Sequence, residues 1–101
     1  MASEYTSALD VRVPIGGGAT LYLRRATWHG AGITVLAEVF DREGAIVEGA
    51  CVSVYNLTSR KKFAQAVQAR VPEASGVERE LLRIGHELLD GYQQDAGERS
   101  A

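Results

Sequence analysis

The chain has 101 residues, is 46% hydrophobic and carries a formal charge of −2. That length supports one two-layered core rather than two, and the acidic balance argues against a general polyanion binder, which carries a clear positive excess. A lone cysteine, Cys51, excludes an internal disulfide and a paired-cysteine zinc site, and reads as intracellular, with a cytoplasmic location expected.

Met1–Ala8 is polar and rich in small residues, so residues 1–9 read as a flexible start. Asp10–Ile15 alternates apolar and polar side chains and meets Gly16-Gly17-Gly18, which predicts a short strand and a turn. Thr20–Trp28 is the second strand, with Leu21 and Leu23 on one face and Tyr22, Arg24 and Ala26 on the other. After a reversal at His29–Gly32, residues Ile33, Val35, Ala37 and Val39 share one face of a third strand, the predicted core face. Asp41-Arg42-Glu43-Gly44 predicts a hairpin loop, and Ala45–Tyr55 returns as the fourth strand. Strands joined by hairpins imply an antiparallel meander.

Helical periodicity takes over after Leu57. Thr58 or Ser59 is the expected N-cap of a first helix, Phe63, Ala66 and Val67 belong to its core-facing stripe, and Phe63 and Leu57 anchor the junction to the core. Pro72 ends this helix. Ser75-Gly76-Val77-Glu78 fits a capping box opening a second helix, whose positions Val77, Leu81, Ile84, Leu88 and Tyr92 recur at i, i+4, i+7, i+11 and i+15. Leu82 and Leu89 widen that stripe, and Gly85 costs about 1 kcal/mol relative to Ala unless another segment approaches closely there. Packing on both the sheet and the neighbouring helix accounts for the width; a homodimer seam through Leu82, Gly85 and Leu89 is the alternative. The tail over residues 93–101 has no apolar residue except alanine and reads as flexible.

Catalysis finds little support. His29 and His86 lie far apart without a nucleophile at a spacing that forces proximity, and Cys51 within a strand reads as a small buried hydrophobe. No metal or cofactor is expected, because no pair of histidines or cysteines has ligand spacing. Gly16-Gly17-Gly18 lacks the lysine and the following helix of a phosphate-binding loop. No membrane contact is expected either, since charges interrupt every apolar stretch.

Charge distribution is more informative than its sum. Residues 58–71 hold four basic residues and no acid, whereas residues 72–101 hold three Arg against seven acids. Cations at a helix N-terminus oppose the macrodipole, so Arg60, Lys61 and Lys62 ask for a purpose. With the Thr58 and Ser59 hydroxyls and the free N–H groups of a helix start, they form a candidate anion site suited to a nucleic-acid backbone or an acidic protein. The bland reading is a solvated surface paired with Glu38, Glu43, Glu73 or Glu78. Tyr22 and Phe40, if they face solvent, could stack on bases near Arg24, although core packing is the simpler assignment for most of the aromatics.

From about Ile33 to Leu89 the chain resembles a segment of primase-helicase and ATPase-type replication proteins of phages and mobile elements. The residues that carry it are Asn56-Leu57-Thr58-Ser59-Arg60-Lys61-Lys62-Phe63 after a strand, then Glu80-Leu81-Leu82-Arg83 in a leucine-rich helix. Walker motif, primase acidic cluster and helicase domain are missing, so the resemblance implies an accessory module without catalytic machinery. Together these readings predict a single α+β domain over residues 10–92: an antiparallel meander of three or four strands followed by two C-terminal helices packed on one face.

Overall fold

The computed structural model describes the backbone of residues 4–30 and 32–100 and the side chains up to residue 91, residue 31 excepted. Strands β1 (Tyr5–Gly16), β2 (Ala19–His29), β3 (Gly32–Phe40) and β4 (Ile46–Ser53) form one antiparallel sheet in chain order, and helices α1 (Leu57–Arg70) and α2 (Val77–Ser100) follow. This is the α+β meander that the hairpin punctuation predicts. β1 joins the sheet and starts at Tyr5, five residues before the expected strand, because its polar first half pairs with β2 from Tyr5 opposite Trp28 onward. At the other end α2 runs to Ser100, past the expected domain limit at residue 92. The expectations for residues 1–3 and 101, and for the Tyr92 side chain, lie outside the described residues.

Alternation along the strands sends Leu21, Leu23, Ile33, Val35, Ala37, Val39, Val52 and Val54 to one buried face. A β-bulge between Leu23 and Arg25 adds one residue to β2, so Ala26 returns to the core instead of sharing the face of Tyr22 and Arg24. Arg25 stands opposite Leu36, on the face of Tyr22 and Glu38. Both arginines therefore project to the side away from the helices.

The loops lock this arrangement with local bonds. Asp41 Oδ1 accepts from the N–H groups of Glu43 and Ala45, closing the β3–β4 hairpin. Across the β1–β2 turn, the Ser75 N–H donates to the Ile15 carbonyl at 2.7 Å, fastening the α1–α2 connection to the sheet. Gly16 has φ +95° in that turn, and a Cβ there would sit 2.6 Å from the Glu73 carbonyl oxygen, so close approach and conformation both require glycine.

α1 lies along β4 with Phe63 and Val67 buried, and ends before Pro72 as expected. α2 turns Val77, Leu81 and Ile84 into the core. Its N-cap is Gly76, whose carbonyl accepts the Glu80 N–H, so Ser75 stands one residue too early for the expected capping box. Gly85 is buried against Val54, and a Cβ built on it would collide with Val54 Cγ1. The missing side chain thus serves internal packing, and Gly85 is not available to a partner surface.

Beside this contact, the Tyr55 ring lies 5.6 Å from that of His86, and the Tyr55 hydroxyl is buried with no hydrogen-bond partner among the described residues. Burial pushes this phenol above its ordinary value, and Asp90 pushes it the same way. A folded-state value above the unfolded value of about 10 means that the unfolded chain ionises first, so this site costs stability as pH climbs beyond about 10 and leaves it unchanged below. Tyr55→Phe is therefore expected to stabilise the domain by about 1 kcal/mol at pH 7, and its advantage over wild type should widen at pH 10.5. Urea denaturation at the two pH values checks this; a destabilised Phe variant would mean that the hydroxyl has a partner.

Candidate nucleic-acid interface

The junction between β4 and α1 folds differently from the anion site expected there. Asn56 is the N-cap, accepting the Ser59 N–H on Oδ1 at 2.9 Å while its carbonyl accepts the Arg60 N–H. The Ser59 hydroxyl accepts the Ser53 N–H at 3.1 Å, and Arg60 Nη1 donates to the Val54 carbonyl at 2.6 Å. Two of the five proposed ligands are thus committed to tying the helix start to β4. Thr58, Lys61 and Lys62 remain exposed, and Lys62 shares a groove between β4 and α1 with Glu48, whose carboxylate disfavours an anion. The expected charge partners Glu38 and Glu43 pair with Arg24 and Arg42 instead. Leu57 does not anchor the junction, being 54% exposed, whereas Phe63 is buried.

Both helices cover the same side of the sheet, because the apolar face of each strand lies there, and the opposite face is left open. On it the register places Arg12 opposite Tyr22 and Tyr22 opposite Glu38, with Phe40 opposite Thr20 one step along. Tyr22 and Phe40 meet edge to face, their centroids 6.2 Å apart and planes at 83°. They are half-buried by each other and by their strand neighbours, rather than by a core. Core packing, the simpler sequence assignment, holds for Trp28 but not for this pair.

Around the two rings lies a concavity of about 520 Å³, bounded by Arg12, Thr20, Tyr22, Arg24, Glu38, Phe40 and Arg42 among others. The Arg12 guanidinium carbon sits 4.7 Å from the Tyr22 ring centroid while Arg12 Nε donates to Asp10 Oδ1 at 3.2 Å. Arg24 reaches Glu38 at 3.5 Å and Arg42 reaches Glu43 at 3.9 Å. Arg25 is exposed on the same face without an ion-pair partner among the described residues. These contacts are made at the surface and are individually weak, because water and salt screen them. A ligand phosphate could exchange with any of the carboxylates.

The sequence contained Tyr22, Phe40 and Arg24 as a conditional stacking group, but Arg12, Arg25 and Arg42 were missed. Only Arg12 had a readable signal, since strand alternation sets it opposite the apolar positions of β1; the bulge that turns Arg25 outward has none. Elsewhere, Cys51 is exposed on edge strand β4 rather than buried. His29 Nε2 lies 2.7 Å from Thr34 Oγ1, and neither histidine lines this concavity. Leu82 and Leu89 of the proposed seam are half-buried, Leu89 against the core.

Fold and face together describe a four-stranded antiparallel sheet, backed by two helices, that presents an aromatic and arginine-rich surface to solvent. Comparison with family models, curated proteins and solved structures finds no match for the chain in any of the three. No helix among the described residues is long and apolar enough to cross a membrane.

Proposed function

We propose that this domain is a non-enzymatic accessory or adaptor module of a phage- or mobile-element-type nucleic-acid-processing system, and that it contacts single-stranded nucleic acid through the open sheet face. The observation that carries the reading is the convergence of Tyr22, Phe40, Arg12 and Arg24 around one concavity on the face the helices leave bare. Unpaired bases stack on exposed aromatic rings of such sheets, and arginines hold the phosphates between them. A duplex keeps its bases stacked inside and gains only the charge contacts. The processing context rests on the resemblance across Ile33–Leu89, and the N-terminus of α1, through Thr58, Lys61 and Lys62, is an outlying contact rather than the platform.

Two variants of equal charge change separate the surfaces. Arg24→Gln with Arg25→Gln is expected to lower affinity for a single-stranded oligonucleotide about tenfold at low salt and to flatten the salt dependence, each lost phosphate contact removing about 0.7 from the slope. Lys61→Gln with Lys62→Gln should leave affinity within about twofold. The reverse outcome in fluorescence anisotropy would return the site to the helix. The competing reading, a protein-interaction module, homodimeric or with another partner, that uses a sheet edge or Leu82 and Leu89 of α2, requires a concentration-dependent dimer in sedimentation or a co-purifying protein partner, and no oligonucleotide binding.

A further inference from the structure

Arg12 occupies the place on Tyr22 that a stacking base would take. Strand register sets the two residues directly opposite each other, and a bond to Asp10 two residues earlier holds the guanidinium over the ring. All three groups are at the surface, with Arg12 and Asp10 side chains 66% and 73% exposed, so the arrangement is held only by solvent-exposed contacts, those to Asp10 and to the ring and hydroxyl of Tyr22. We infer that Arg12 is an exchangeable cover: an unpaired base displaces it from Tyr22, and the displaced guanidinium then meets the phosphate that arrives with the base.

This inference rests on the proposed single-strand function and adds a mechanism to it. A planar base and a guanidinium are alternative occupants of one aromatic face, because both bind it through the π cloud. A phosphate and the Asp10 carboxylate are alternative acceptors for the same N–H donors. One motion of Arg12 therefore exchanges both contacts at once, ring for phosphate and protein for ligand. An isolated base without phosphate can use only half of the exchange: it must remove Arg12 from the ring and gives the cation nothing in return.

That asymmetry yields a test with opposite signs. Adenosine, followed by amide chemical shifts of the labelled protein, should bind Arg12→Ala about two- to fivefold more tightly than wild type, as expected for removal of one exposed cation–π competitor. A single-stranded oligonucleotide should bind the same variant severalfold more weakly at low salt, with the salt slope reduced by about 0.7 for one lost phosphate contact. Asp10→Asn, which frees Arg12 without deleting it, should tighten both ligands. If Arg12→Ala weakens both ligands equally, Arg12 is an ordinary wall of the site and the cover is wrong; if neither ligand responds, Arg12 lies outside the site. Oligonucleotide binding by wild type without the split in sign overturns the cover alone, whereas absence of any oligonucleotide binding overturns the functional reading with it.

Discussion

Gly85→Val is expected to lower the stability of the domain by about 3 kcal/mol, the upper end of what added core volume costs. α2 crosses the end of β4 so closely that any Cβ at residue 85 meets Val54 Cγ1 and comes within 3.6 Å of the Tyr55 hydroxyl. Val54 has no exposed surface, and its branched side chain has little rotamer freedom with which to yield. Gly85→Ala places two effects in opposition: a helix-propensity gain of about 1 kcal/mol and an overpacking cost of about 1–3 kcal/mol. Overpacking wins here because Val54 is pinned, so the Ala variant should lose about 1 kcal/mol net. In a Val54→Ala background the same Gly85→Ala change should become stabilising, and denaturant titration of the four chains measures the coupling. An Ala variant more stable than wild type would show that the helix does not approach the strand this closely.

Tyr22→Leu and Phe40→Leu are each expected to weaken binding of a single-stranded oligonucleotide roughly tenfold, the loss of one base-stacking platform of about 1–3 kcal/mol. Leucine keeps most of the apolar area that each ring shelters, so stability should fall by no more than the aromatic contact itself, about 0.5–1.5 kcal/mol. The two rings share an edge, hence their effects on binding should not add. Stacking does not depend on counterion release, so the loss should persist at high salt, while the loss from Arg24→Gln with Arg25→Gln fades there. Equal affinity of the Leu variants and wild type at both salt concentrations would remove the rings from the interface.

The elements were legible in the sequence for local reasons. Period-two alternation at Ile33–Val39, glycine turns at Gly16–Gly18 and Gly44, and Pro72 after α1 each act within a few residues of where they stand. What the sequence withheld was non-local. No pattern reports that Leu23–Arg25 contains a bulge, since Arg24 and Arg25 look alike and only pairing with β3 decides where the extra residue goes. The first half of β1 was hidden because its polar residues gain their structure from β2. The candidate site moved for a related reason. Thr58–Lys62 looks like an anion trap when read along the chain, but β4 ends with an outward Ser53 N–H and a Val54 carbonyl that Ser59 and Arg60 satisfy. Conversely, Arg12, Tyr22, Arg24 and Phe40 come from three strands and meet only through register.

We propose that the open sheet face, and not the start of α1, receives nucleic acid. Titrating the isotope-labelled protein with a short single-stranded oligonucleotide and following every backbone amide decides between the two surfaces. The expected result is a contiguous set of shifted resonances at Arg12, Tyr22, Arg24, Arg25 and Phe40, with Thr58–Lys62 nearly unmoved. Shifts concentrated at Thr58–Lys62, or none at a protein concentration well above the oligonucleotide affinity typical of such platforms, would contradict it.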